Sequence, residues 1–220
     1  MIKAIAAHIR KDFTIEYRNR YALSVSLSFA AVATLGISLA SGGASLTART
    51  HAIILWIILF FTAMSSLSHV FAREEDRSTA MFLKLHSSPP LVLTAKLAFN
   101  CSLFLALQAL VAPLYLFFFG VEPKSPGALA AVLASGGFAL ASTSTTMAAI
   151  VSKANARGAL FSVISLPVSL PVFWVSITAT AGAIESPSRA CGGEVLFLLA
   201  FSCAIIAVSY LLFEVIWSEQ

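Results

Sequence analysis

Six long apolar runs, each cut from the next by charges or turn residues, organise this chain. They cover approximately residues 21–40, 51–72, 97–119, 128–151, 159–183 and 195–217. Each reaches the roughly 20 residues that a helix needs to cross the hydrocarbon core of a bilayer. The breaks between them are turn chemistry: Ser41-Gly42-Gly43, Ser87-Ser88-Pro89-Pro90, Glu122-Pro123-Lys124-Ser125-Pro126-Gly127 and Ser186-Pro187-Ser188. The pattern predicts an all-α membrane protein with six transmembrane helices in one domain spanning residues 1–220. A cleaved signal peptide does not describe the first run, because its charged leader and its apolar stretch are both too long.

Residues 1–20 follow a different rule. Ile2, Ile5, Ile9, Phe13 and Tyr17 recur at helical spacing, while Lys3, Arg10, Lys11, Thr14 and Arg18 occupy other faces. This predicts a helix lying in the headgroup layer, apolar face down, with basic residues near anionic lipid. It serves as a topology anchor or takes part in gating, and the spacing does not choose between them.

Composition narrows the class. The chain is 59% hydrophobic and 11% charged, with a mean hydropathy of +0.90, whereas soluble domains carry about 25% charged residues. No stretch is left over for a soluble catalytic domain. The net charge of +4 comes without a basic run interleaved with aromatics, which argues against nucleic acid. Where the charge sits matters more. Lys3, Arg10, Lys11, Arg18, Arg20, Arg73, Arg77, Lys84, Lys96, Lys153 and Arg157 fall on one side of the six-span topology, and Arg49, Lys124 and Arg189 on the other. Under the positive-inside rule both termini and the loop after span two are cytoplasmic.

That loop, residues 73–96, is the richest polar stretch. Glu74, Glu75 and Asp76 stand in a row between Arg73 and Arg77, and Ser78 or Asp76 is placed to cap a short helix with Met81, Phe82 and Leu85 on one face. Pro89-Pro90 would end that helix, and Lys96 would anchor the start of span three. A charged turn followed by an amphipathic helix suits a docking surface for a soluble partner. A solvated loop whose charges keep it out of the membrane accounts for the same residues.

Inside the spans, strongly ionisable residues are absent from the centres, unlike in transporters driven by ion gradients. His51 and His69 frame span two about 27 Å apart, too far to ligate one iron. Span four steps through Gly137, Ala141, Thr145 and Ala149, with Ser142, Thr143, Ser144 and Thr146 beside them. Small residues at that spacing favour close helix packing, and a polar translocation surface is the alternative. Pro167 and Pro171 lie one turn apart in span five and predict a kink. Cys101 and Cys203 sit in apolar runs and Cys191 in a loop, so no disulfide framework or metal spacing arises. There is no G-x-x-x-x-G-K-[ST], H-E-x-x-H or G-x-S-x-G motif, so energy for transport must come from another subunit.

Three segments in this order, AHIRKDFTIEYRNR before span one, FAREEDRSTAMFLKLHSSPPLVLTAK after span two and LFSVISLPVSLPVFW in span five, resemble the CcmB family. These are the permease subunits of the haem-exporter-type ABC transporter of cytochrome c maturation. Ser78-Thr79 departs from the Gly-Ser-like pair common in relatives. The resemblance covers essentially the whole chain and implies an ABC-2-type permease without enzymatic activity or a cofactor of its own. It implies a CcmA-like ATPase docking on residues 73–96, a CcmC-like haem-handling membrane neighbour and a CcmE-like haem chaperone. It also implies the bacterial inner membrane as location, with lipid and a second copy of the chain as further partners. A generic ABC-2 permease for lipid, polysaccharide or drug, and a non-transporting scaffold, stay open at this point.

Overall fold

The turn residues that interrupt the apolar runs are where the helices break. The computed structural model describes residues 2–67, 88–151, 157–187 and 191–218. Their helices are α1 (Ile2–Asn19), α2 (Tyr21–Ala40), α3 (Ala48–Leu67), α4 (Pro89–Phe119), α5 (Pro126–Val151), α6 (Arg157–Glu185) and α7 (Gly192–Ser218). The last six are long and apolar enough to cross a membrane, and no strand occurs among the described residues. The protein is all-α with six transmembrane helices, as the apolar runs predict.

Local chemistry sets the helix ends. Thr47 caps α3: its Oγ1 accepts the Thr50 N–H at 3.2 Å, satisfying one of the orphan donors of a first turn. Gly120 closes α4 in the left-handed conformation at φ 61°, returning its N–H to the Leu116 and Phe117 carbonyls. Ser125 N–H then bonds the Ala183 carbonyl at 3.0 Å, tying the loop after α4 to the end of α6.

The expected span 97–119 begins eight residues too late, since α4 starts at Pro89. Pro89 and Pro90 open this helix; the short helix expected before them lies outside the described residues. First-turn N–H groups have no intrahelical partner, so proline costs nothing there, and its fixed φ suits the helix. Residues 89–96, read from the sequence as the tail of a loop, are two turns of α4, and Lys96 lies inside the helix. The other five spans agree with the sequence reading to within three residues at the ends the structure describes.

The helices alternate in direction. One end of the bundle holds α1 and the starts of α2, α4 and α6; it is called the basic end here. The far end holds the loops 41–47 and 120–125, with residues 186–187 and 191. α5 runs through the middle, packed on α3, α4, α6 and α7, and 61% of its span is buried against 17% for the outer helices α2 and α7. Small residues make this possible. Gly137, Ala141, Thr145 and Ala149 are all buried in helix contacts, letting neighbouring backbones approach. Around the bundle, Val32, Leu39, Phe117, Val163, Trp174, Leu196 and Leu211 are at least two-thirds exposed, an apolar belt suited to lipid. Arg49 at the far end stacks its guanidinium 5.9 Å from the Trp174 ring centre.

Gly136 marks the tightest contact. A Cβ there would lie 2.3 Å from Trp56 Cη2 and 2.7 Å from Ser176 Oγ. Trp56 is wholly buried and donates its indole N–H to Thr180 Oγ1 at 2.9 Å, so its ring is pinned between α5 and α6. Gly136→Ala is expected to displace the ring and destabilise the bundle by about 1–3 kcal/mol. Thermal unfolding in detergent, followed by tryptophan fluorescence, measures it.

Candidate functional site

α1 carries Asp12 and Glu16 one turn apart, on the same face by helical spacing. Both are buried, at 7% and 2% exposed. Lys96, from the second turn of α4, meets the first of them: its Nζ donates to Asp12 Oδ1 at 3.2 Å and stands 3.1 Å from Oδ2. Only Oδ1 sits in hydrogen-bonding geometry; Oδ2 is held by charge alone. Lys96 is itself 4% exposed, so this contact is buried between two helices, and Lys11 Nζ stands 3.6 Å from Asp12 Oδ1 on its outer side. Beside it the Phe13 ring sets its edge against Phe99 at 4.9 Å.

Glu16 acts on α2. Its Oε1 accepts the Leu23 N–H at 3.3 Å, within the first turn of α2, where the helix dipole favours a carboxylate. Between the two helices lies one residue, Arg20, in the left-handed conformation at φ 48°. Its N–H returns to the Glu16 carbonyl at 2.7 Å, its Nε donates to the Tyr17 carbonyl at 3.2 Å, and its guanidinium covers the Tyr17 ring at 4.9 Å. These contacts offset the strain that a Cβ meets in that conformation. α1 is therefore fastened to α2 by its end and to α4 by its middle.

The apolar positions of α1 are only partly covered by the bundle: Ile5 and Ile9 are half-buried, and Phe13 and Tyr17 are 41% and 70% exposed. What faces the bundle most completely is the acidic pair. Periodicity of apolar residues missed it because it scores a carboxylate as a surface residue. The signal that was present is Asp12-x-x-x-Glu16 in an otherwise basic helix, together with a lysine inside the apolar run around Lys96.

Further along α4 the same logic repeats. Asn100 donates to Thr145 Oγ1 on α5 at 2.8 Å. Gln108 donates to the Leu133 carbonyl on α5 at 2.8 Å, its amide seated against Gly137, where a Cβ would lie 2.0 Å from Oε1. Tyr115 Oη lies 3.1 Å from His51 Nδ1 on α3. Thr94 bonds the Tyr210 hydroxyl on α7 at 2.7 Å. One helix thus has polar links to α1, α3, α5 and α7. Thr146 and Ser209 add a hydroxyl pair between α5 and α7.

The sequence-predicted residues divide into three groups. Arg73, Glu74, Glu75, Asp76, Arg77, Ser78, Met81, Phe82 and Leu85, with His69, lie outside the described residues. Pro167 and Pro171 lie on the exposed side of α6, which is helical through both, while Ser165, Ser169, Val172 and Ser176 form its buried side. His51 sits at the far end, its ring edge-on to Phe119 at 5.4 Å, beside a cavity of ≈ 430 Å³ also lined by Ser38, Ser41, Ser45 and Glu122. Cys191 is not presented to that end: it is buried, with its Sγ 3.8 Å from the Ala179 carbonyl.

Nothing in this arrangement resembles a catalytic constellation; it is a set of helices fastened at defined points. A family model described as "CcmB protein" matches residues 3–214, from α1 into the last turns of α7. The chain belongs to the CcmB family. No curated protein matches it. CcmB membership makes this a permease-type membrane protein of cytochrome c biogenesis and haem export, not an enzyme. It also places the chain in the Ccm system, which includes an ATPase and other subunits.

The Asn100–Thr145 bond offers a clean measurement. A double-mutant cycle with Asn100→Ala and Thr145→Val should return a coupling of about 0.6 kcal/mol and at most about 1.7 kcal/mol, the range for side-chain hydrogen bonds between membrane helices. Unfolding titrations of the four proteins in mixed micelles supply the cycle.

Proposed function

We propose that the chain is the permease subunit on which a separate CcmA-like ATPase acts, passing nucleotide-driven movement into the membrane part of a haem-handling complex. The match to the CcmB family over residues 3–214 carries this reading. The basic end faces the cytoplasm of a bacterial inner membrane, which the eleven Lys and Arg residues assigned to that side support. The ATPase docks on the charged turn Arg73–Arg77 and the apolar positions Met81, Phe82 and Leu85. That loop leads directly into Pro89 and so into α4. At the far end a CcmC-like membrane protein and a CcmE-like haem chaperone receive the effect. Haem is the cargo of that complex, and its iron ligands come from those partners rather than from this chain.

Two measurements test the reading. The double variant Glu74→Lys with Glu75→Lys should reduce ATPase co-purification roughly tenfold while membrane insertion is unchanged, because like charges now oppose a surface that fitted acids. Undiminished co-purification refutes the docking site. Reporter fusions at Ser45, Ser125 and Ser188 should report the outside, and fusions at Ser87 and Asn155 the cytoplasm. Inversion at two of these sites refutes the orientation.

A further inference from the structure

Toward the far end, α4 and α5 leave a groove of ≈ 380 Å³ between them. Ala109, Ala112 and Pro113 of α4 and Ala130 and Ala134 of α5 line it, with leucines from both helices. Gln108 is the one polar side chain among the described residues of its wall, and its Nε2 is committed to the Leu133 carbonyl. The lining runs from Leu105 to Leu116 along α4, about 16 Å at the helical rise, and from Pro126 to Ala134 along α5, about 12 Å. A hydrocarbon core of about 30 Å gives each leaflet about 15 Å. The groove is one leaflet deep.

Its two ends differ. The outer end opens at the loop 120–125, with Pro123 at the rim. Inward it stops at Leu105 and Gln108, and one turn beyond Ala134 the next residue on that stripe of α5 is Phe138. A transmembrane helix seated here would need small residues along a groove crossing the whole core. An acyl chain entering from the far-end leaflet needs only the depth present. Lipid tails are as apolar as the groove, so burial alone selects no particular chain. Selection comes from the void that an unfilled groove leaves and from charge at its mouth. That charge is Lys124, exposed beside Pro123 and without an ion pair among the described residues. Its N–H is tied to the Ile184 carbonyl, so the long side chain hangs at headgroup level from a fixed support. Glu122 lines the separate polar cavity beside His51.

We propose that this groove is a specific lipid site: one acyl chain of an anionic glycerophospholipid lies between α4 and α5, with its phosphate against Lys124. The chain covers Ala109, Pro113, Ala130 and Ala134, which the bundle alone leaves exposed, and it completes the α4–α5 contact where the Gln108 link ends. Such a site serves a permease of any cargo, so it is independent of the ATPase-driven role.

The experiment places the full chain in phosphatidylcholine nanodiscs containing a small fraction of phosphatidylglycerol with a diazirine midway along one chain. A second series carries the same diazirine on phosphatidylcholine, and photo-crosslinks are mapped by peptide mass spectrometry. Crosslinks should gather at residues 105–116 and 126–134 severalfold above the lipid-facing residues of α7, and the phosphatidylglycerol probe should be favoured about fivefold. Filling the groove with Ala130→Leu and Ala134→Leu should bring its crosslinks down to the α7 level. Lys124→Gln should keep the crosslinks and remove the preference. The map of the parent chain scores the site even where the filled variant fails to fold. Crosslinks spread evenly around the parent bundle overturn the proposal, as does a preference that survives Lys124→Gln or a crosslink pattern unchanged in a folded filled variant. Groove crosslinks that vanish when the partner subunits are present also overturn it, because a partner's helix then occupies the groove.

Discussion

Hydrocarbon supplies no hydrogen bonds, so each polar group carried into the bundle needs a partner from the chain itself. α4 is where this constraint is met most densely. Along 31 residues it presents Lys96, Asn100, Gln108 and Tyr115, whose partners lie on α1, α5, α5 again and α3. Apolar packing alone between lipid-bathed helices is weakly directional, because the lipid tails are as apolar as the side chains. The polar links give the helices their register.

The middle of the bundle solves the complementary problem of space. α5 has small or hydroxylated residues from Gly136 through Thr146, broken only by Phe138 and Leu140, and this lets three long helices close on it at once. Many of those hydroxyls return to the carbonyl one turn back, as Thr143 does to Ala139 at 2.8 Å and Thr145 to Ala141 at 2.7 Å, so they satisfy themselves without asking for water. Trp56 and Gly136 are the clearest case of shape fitting shape. The wide indole occupies the volume that the missing Cβ leaves, and its N–H finds Thr180.

Most of the architecture was legible from apolar run length, since spanning a bilayer demands about 20 residues and turn residues mark the ends. The start of α4 was not, because Pro-Pro marks a helix end as readily as a helix start. The buried polar contacts were harder still. Asp12 and Lys96 each read as a surface charge until they are seen together, and pairing across 84 residues leaves no trace in local spacing. Asn100 and Gln108 escaped notice because neutral amides carry no charge to disturb an apolar run. The charged turn at Glu74–Asp76, by contrast, was conspicuous in sequence, since three adjacent acids stand out in so apolar a chain.

The separation of Asp12 from Lys96 also orders the events of biosynthesis. The N-terminal helix leaves the ribosome first, with two carboxylates on the face that will be buried, and the lysine they await is made 84 residues later. Until then Asp12 has the partly exposed Lys11 beside it but no partner on α4, and the cost of burying the carboxylate without Lys96 keeps that face in water or among headgroups. Closure of α1 onto the bundle therefore follows insertion of the third span. A nascent chain halted after the second span would display the Asp12–Glu16 face of an otherwise basic helix, and the finished one hides it: the same residues report whether membrane insertion has gone far enough.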